Sequence, residues 1–204
     1  MNKVKKNNGY KIFHDQKNNY GQKEFQSIDL KNKAIKRILI IKWGGMGDVI
    51  ISTAIIEDIL KSFPNAKVDI NTLPQWQILF KHHLGINNVW GFNNKKGLNT
   101  FIHLFKWIKI VTTGNYDLIV DLQTSDRSRI YLSILKLLSN KTKYVIGNHA
   151  VKPYSIIPKS RIKISNPFQM MQRTINSIGI KSNTLSPKIY TSKNDSIASK
   201  IILK

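Results

Sequence analysis

The chain contains no cysteine, only 11 acidic residues among 204, and no apolar run near the ~18 residues of a membrane span. The missing cysteine excludes a disulfide framework and a thiolate metal site, and it fits a reducing compartment. The opening MNKVKKNNGYKIFHDQKNNYGQKEF has the positive start of a signal peptide but no apolar segment after it, which argues against secretion. The shortage of acid leaves 33 lysines and arginines unbalanced, for a formal charge of +22. Such a surface is drawn to polyanions: nucleic acid, anionic lipid or phosphorylated glycan. The basic residues are spread along the chain, and lysine, asparagine and isoleucine are all abundant, as an AT-rich coding sequence gives. The charge therefore speaks to association rather than to fold.

Residues 1–34 are rich in Lys, Asn and Gln, have no hydrophobic period, and read as a flexible basic extension. Order begins at RILIIK, a continuous apolar run of the kind expected for a strand buried on both faces. From Val49 to Leu60 apolar residues fall at helical spacing, and FPNA closes that helix. KVDINT then predicts a strand, QWQILFKHH a short helix and NNVWGF a third strand. LNTFIHLFKWIKIVTTG predicts an amphipathic helix stopped at Gly114, followed by strand YDLIVDLQ, helix SRIYLSILKLLS and strand KYVIG. A proline-containing loop leads to a last helix, FQMMQRTINSIG, before Gly179. Strands alternating with helices predict an α/β Rossmann-like parallel sheet with helices on both faces, over residues 35–180. Residues 181–204 read as a linker, with Asp195 capping a helix that has just begun.

Between the first strand and its helix stands WGGMGD, Trp43 to Asp48. In a doubly wound sheet, ligands sit at the carboxyl ends of the strands. Glycines there permit positive φ and close backbone approach, and the following helix presents free N–H groups to an anion. Asp48 can act as the N-cap of that helix or as a general base on a hydroxyl. A dinucleotide fingerprint fits poorly, because its third glycine falls at Ile50 and the acid at ribose distance, Asp69, lies inside a strand. A P-loop lacks its Gly-Lys-Ser/Thr. Gln123, Arg127 and Arg129 follow the YDLIVDLQ strand and suit a phosphorylated or acidic ligand. Asp126 beside them offers the plainer reading of a charge-balanced helix start. His82, His83, His103 and His149 have no metal-ligand spacing, and the tryptophans and phenylalanines near them read as core.

IIKWGGMGDVI resembles the amino-terminal signature of glycosyltransferase family 9, the ADP-heptose:lipopolysaccharide heptosyltransferases and their relatives. YDLIVDLQTSDRSR resembles that family's Tyr-Asp-strand-Asp-x-Gln segment, and YVIGN its next strand. The order and spacing agree from about Arg37 to Gly179. Departures fall at Gly44 and Gly45, where small hydroxyl residues are frequent, at Thr124 in place of a glycine, and near Gln169 and Met170, where the usual His-x-x-Glu-Arg helix start is degraded.

The resemblance implies the amino-terminal, acceptor-side half of a GT-B glycosyltransferase, with the second, donor-binding domain missing. It implies inverting, metal-free transfer of heptose or a similar sugar from a nucleotide-sugar such as ADP-heptose. The acceptor would be lipopolysaccharide or another lipid-linked or phosphorylated envelope glycan. Asp48 would be the base. Lys42, Gly44, Gly45, Met46 and Gly47 would contact substrate, with Gln123, Arg127 and Arg129 on the acceptor. The implied place is cytoplasmic, peripheral at the inner face of the inner membrane against anionic lipid, with a separate donor-domain chain as a conceivable partner and nucleic acid disfavoured. The alternative from another class is a non-catalytic module that binds anionic glycan, lipid or nucleic acid through its basic surface.

Overall fold

The computed structural model describes residues 28–92, 100–123, 125–148, 152–156 and 166–192. Most of the basic extension, Thr124, His149 and the segment carrying Asp195 lie outside the described residues. Five strands, β1 (Arg37–Ile41), β2 (Lys67–Thr72), β3 (Asn88–Gly91), β4 (Leu118–Asp121) and β5 (Tyr144–Gly147), form one sheet in the order β3-β2-β1-β4-β5. Every pairing is parallel. The helices are α1 (Met46–Ser62), α2 (Thr100–Gly114), α3 (Asp126–Leu138) and α4 (Pro167–Asn176), and Pro74–Phe80 form a 3₁₀ stretch.

β1 shows why its sequence carries no two-residue alternation. Ile38 and Ile40 enter the core beneath α1 and α4, while Leu39 and Ile41 enter the opposite core beneath α2 and α3. A strand covered on both faces must be apolar at every position. The chain runs outward from β1 through β2 to β3, then returns across the sheet to β4 on the other side of β1. The strand order therefore reverses between β1 and β4. Loops leaving those two strands diverge to opposite faces and open a crevice at their carboxyl ends.

Local signals place the helix starts. Ser125 and Ser128 form a reciprocal capping box on α3, and Asn166 accepts the Phe168 and Gln169 N–H groups ahead of Pro167 on α4. α1 has no such device, since its N-cap is Gly45 and no side chain caps it.

Residues 28–30, within the segment read as an extension, pack against the loop after α4. Ile28 and Leu30 donate N–H groups to the carbonyls of Ser177 and Ile178, and Leu30 is fully buried. The pairing needs Gly179, whose φ is +85° and where a Cβ would stand 2.7 Å from Asp29 Oδ1.

The segment after α4 lies along α1 instead of hanging free. Asp58, buried in α1, accepts the N–H groups of Asn183 and Thr184 and the Thr184 hydroxyl. Thr53 Oγ1 accepts the Lys188 N–H, and Glu57 accepts the Tyr190 hydroxyl at 2.8 Å while pairing with His83 Nε2 at 3.0 Å. Two of the chain's scarce acids thus hold a strap. Asp58→Ala is expected to cost about 1–3 kcal/mol in urea unfolding, because it strands donors that the carboxylate satisfied. Amide exchange at Asn183 and Thr184 should accelerate in step, and unchanged exchange there would contradict the strap.

Candidate functional site

The loop after β1 is held from three sides. Trp43 N–H donates to Gln123 Oε1 at 2.8 Å, which ties it to the loop after β4. Trp76 Nε1 donates to the Gly44 carbonyl at 3.0 Å, and Lys42 N–H donates to the Asn71 carbonyl at 3.0 Å. Beneath it, the Trp43 ring packs among Phe92, Trp107 and Tyr131, with centroids 5.3 to 6.2 Å away. Asn71, fully buried, accepts both indole N–H groups of Trp43 and Trp107 on one oxygen, each at 2.8 Å. A flat core of large rings would leave two buried donors unpaired, and one amide oxygen answers both.

Asp48 is the third residue of α1, so the N-cap role is not its own. Its side chain is 43% exposed and stands 4.0 Å from Lys42 Nζ. That separation makes a charge neighbour rather than a hydrogen bond. Lys42 is not a solvated strand-end lysine. Its side chain is 4% exposed and Nζ donates to the Leu122 carbonyl at 3.3 Å. Burial holds the Lys42 ammonium below its ordinary pKa, opposed by the charges of Asp48 and Asp121.

The loop glycines do not use the positive φ that the sequence allows for. Among the described residues, Gly179 alone of the glycines has positive φ, and Gly45 is extended at φ −61°. Gly44 matters for space: a Cβ there would meet Asp48 Cβ and Oδ2 at 3.1 Å and Lys42 Nζ at 3.4 Å. Gly45 and Gly47 border open space, where a Cβ would touch nothing within 4 Å. Met46, half exposed, opens α1 beside them. The first N–H groups of α1 lack intrahelical partners and carry the positive end of its dipole.

The second loop brings Gln123 in as a brace, with its side-chain oxygen spent on Trp43. Its own N–H donates to Asp121 Oδ1 at 3.0 Å, and Asp121 Oδ2 accepts the Tyr154 hydroxyl at 2.6 Å. Asp121 is fully buried at the end of β4. Arg129 pairs with Asp126 at 3.0 Å within the first turn of α3, in line with the charge-balanced helix start. Arg127, half-buried, shares that turn at the crevice end of the sheet. Sequence reasoning gave no role to Asp121, Asn71, Trp43 or Trp76. The Asp-x-Gln spacing was the one available signal for Asp121, and nothing in the sequence marks Asn71. Asp69, the acid at ribose spacing, is spent within the fold on Arg37, Asn87 and Tyr116. Among the described residues no group of three or more His, Cys, Asp or Glu could hold a metal, and no helix is long and apolar enough to cross a membrane.

Two tyrosines tie this architecture to pH. Burial, the Asp121 charge and the hydrogen bond to it push Tyr154 above its ordinary value of 10.0; burial and Asp69 do the same to Tyr116. The folded chain keeps protons that the unfolded chain releases above pH ~10, so this stability is intact below that pH and is lost as pH rises. Lys42 has the opposite sign, its lowered pKa adding stability as pH climbs toward ~10.5. The urea midpoint is expected to fall beyond pH ~10, with a shallower fall in Tyr154→Phe. An equal slope in that variant would remove Tyr154 from the account.

Comparison with known proteins bears on this site. Over 102 residues, 48% of the chain, the sequence is 29% identical to lipopolysaccharide heptosyltransferase 3 of Escherichia coli. That stretch of the chain is similar to part of a heptosyltransferase. No protein-family model matches the chain. A glycosyltransferase family 9 structure from Veillonella parvula superposes with a TM-score of 0.70 at 15% identity, covering 86% of this chain and 49% of that one. E. coli ADP-heptose lipopolysaccharide heptosyltransferase II gives 0.58 at 13% identity, covering 82% and 50%. An E. coli heptosyltransferase solved with ADP-2-deoxy-2-fluoro heptose gives 0.55 at 15% identity, covering 74% and 51%. The chain thus spans about half the length of these solved structures, and its match covers 28% of the curated relative. The α/β architecture expected from alternating strands and helices agrees with these folds.

Proposed function

We propose that this domain is the acceptor-side half of an inverting glycosyltransferase of the heptosyltransferase type. The observation that carries the reading is Asp48: a solvent-open carboxylate beside a buried lysine, in the first turn of α1, just after a loop braced from three sides where the strand order reverses. A base needs a fixed position more than a perturbed environment, and this loop has it. Asp48 takes the proton of the acceptor hydroxyl as that oxygen attacks the anomeric carbon, and the nucleoside diphosphate departs with the bonding electrons. Lys42 holds the carboxylate's position and charge. Gly44 keeps the space for that pair, and Gly45, Met46 and Gly47 form the wall along which the substrate lies.

Arg127 and Arg129, at the mouth of the crevice, meet the phosphate or carboxylate of a lipid-linked or phosphorylated glycan. Arg129 does so by exchanging its Asp126 partner. The donor, a nucleotide-sugar such as ADP-heptose, is held mainly by a second half, in the same chain or another. Transfer takes place on the cytoplasmic side of the envelope and uses no metal.

The test is equilibrium binding of a phosphorylated inner-core glycan to the chain. Arg127→Ala is expected to weaken it about tenfold, the loss of a charge-assisted hydrogen-bond pair. The chain by itself should give little or no turnover with nucleotide-sugar. Acceptor affinity indifferent to both arginines, or brisk turnover by this chain alone, would overturn the assignment of halves.

A further inference from the structure

Among the described residues, nothing covers the outer face of the first turns of α2. Its inner face is conventional: Leu104, Trp107, Ile108 and Val111 are buried against the sheet. On the outer face, Phe101, Ile102 and Phe105 are 71%, 67% and 60% exposed. Phe105 lies i+4 from Phe101 and i+3 from Ile102, so its ring neighbours both on the helix surface. Single exposed apolar residues are ordinary, whereas a contiguous group with two phenylalanines marks a contact surface.

Two features indicate what covers it. The first is charge: Lys106 and Lys109 are exposed on the following turns, and no acidic residue occurs anywhere in Thr100–Gly114. On a chain of formal charge +22, a second copy would bring like charge to like. An anionic bilayer brings the complement, with rings entering the headgroup–acyl boundary and lysines reaching back to phosphates. The second is position. In a parallel sheet every connecting helix starts at the carboxyl ends of the strands, so the exposed rings share an end of the molecule with Asp48. Met46 and Ile130, 51% and 53% exposed near the starts of α1 and α3, belong to the same end.

We infer that the amino-terminal half of α2 is a bilayer-docking surface, with Phe101, Ile102 and Phe105 inserting into an anionic lipid interface and Lys106 and Lys109 anchoring on its headgroups. Docked in this way, the domain holds its crevice at the level of the headgroups, where a lipid-linked glycan emerges. That purpose rests on the acceptor reading above, whereas vesicle binding is measured without acceptor or donor, so the two ideas fail separately.

The test is sedimentation of the whole chain with vesicles of phosphatidylcholine alone or with one quarter phosphatidylglycerol. Binding is expected on the anionic vesicles only. Replacing Phe101, Ile102 and Phe105 together by serine should reduce partitioning at least about tenfold, with little change in melting temperature because the side chains are already solvated. In otherwise intact protein, Phe105→Trp should show blue-shifted emission when anionic vesicles are added. Undiminished binding by the serine variant would overturn the proposal and assign attachment to basic residues elsewhere. Unshifted Phe105→Trp emission would overturn it equally, as would a fall in oligomer mass on serine substitution, which would assign the face to a second copy.

Discussion

Replacing Asp48 with asparagine in a complete enzyme built on this domain is expected to lower kcat by about 10²–10⁴-fold. The KM for the acceptor should stay within a few-fold. Asparagine keeps the size and one oxygen of the carboxylate, so the tight space against Gly44 is undisturbed and the loop bonds from Trp43, Trp76 and Gln123 are untouched. What disappears is the ability to accept a proton as the new glycosidic bond forms. A loss confined to kcat is the signature of an interaction made in the transition state. Glutamate at the same position keeps the proton acceptor but displaces it, and should recover only part of the rate. If Asp48→Asn leaves function whole while charge reversal in residues 1–34 abolishes it, the basic-surface binding module is the correct account and the catalytic one is wrong.

The largest stability effect is expected at Asn71. In Asn71→Leu the branched shape is kept, yet two buried indole N–H groups, from Trp43 and Trp107, lose their shared acceptor. Each stranded donor costs about 1–3 kcal/mol, and because both sit in one cluster the sum is not additive. A loss of about 3 kcal/mol in denaturant unfolding is the central expectation. The damage should reach the site, because Trp43 begins the loop that carries Asp48 and its ring is anchored through Asn71. Acceptor affinity should therefore fall in a variant that remains folded. Asn71→Asp supplies acceptor oxygens but introduces a buried charge, so a milder defect in Asn71→Leu than in Asn71→Asp would mean that charge burial outweighs the lost hydrogen bonds. Unfolding within 1 kcal/mol of the parent in Asn71→Leu would show that the paired indoles find other acceptors.

These two residues differ in how far the sequence announces them. Asp48 is legible because a glycine-rich loop between an apolar strand and a helix lies at a carboxyl strand end by topology alone, where ligands bind. Asn71 is one of many asparagines in an asparagine-rich chain, and its partners lie 28 and 36 residues away. Gln123 shows an intermediate case. Its position in Asp-x-Gln was legible as part of the site, whereas the bond from its side-chain oxygen to Trp43 was not. Gly44 behaves likewise, since spacing marks it while its use, room for Asp48 and Lys42 instead of positive φ, depends on how the helix begins.

The sequence by itself determined the alternation of strands and helices, the parallel sheet, the crevice loop and its carboxylate. All of these follow from local periodicity, turn chemistry and the covering of both sheet faces, which act between near neighbours along the chain. Only the tertiary structure decided that Lys42 is buried beside Asp48, that Asp121, Gln123 and Trp43 clamp two loops together, and that Glu57 and Asp58 strap residues 183–190 to α1. The bonds that bury Lys42 against Leu122, tie Trp43 to Gln123 and fasten the strap to Glu57 and Asp58 join residues 80 to 133 positions apart. Their energies come from satisfying buried polar groups, and which groups become buried together is settled only when the sheet closes.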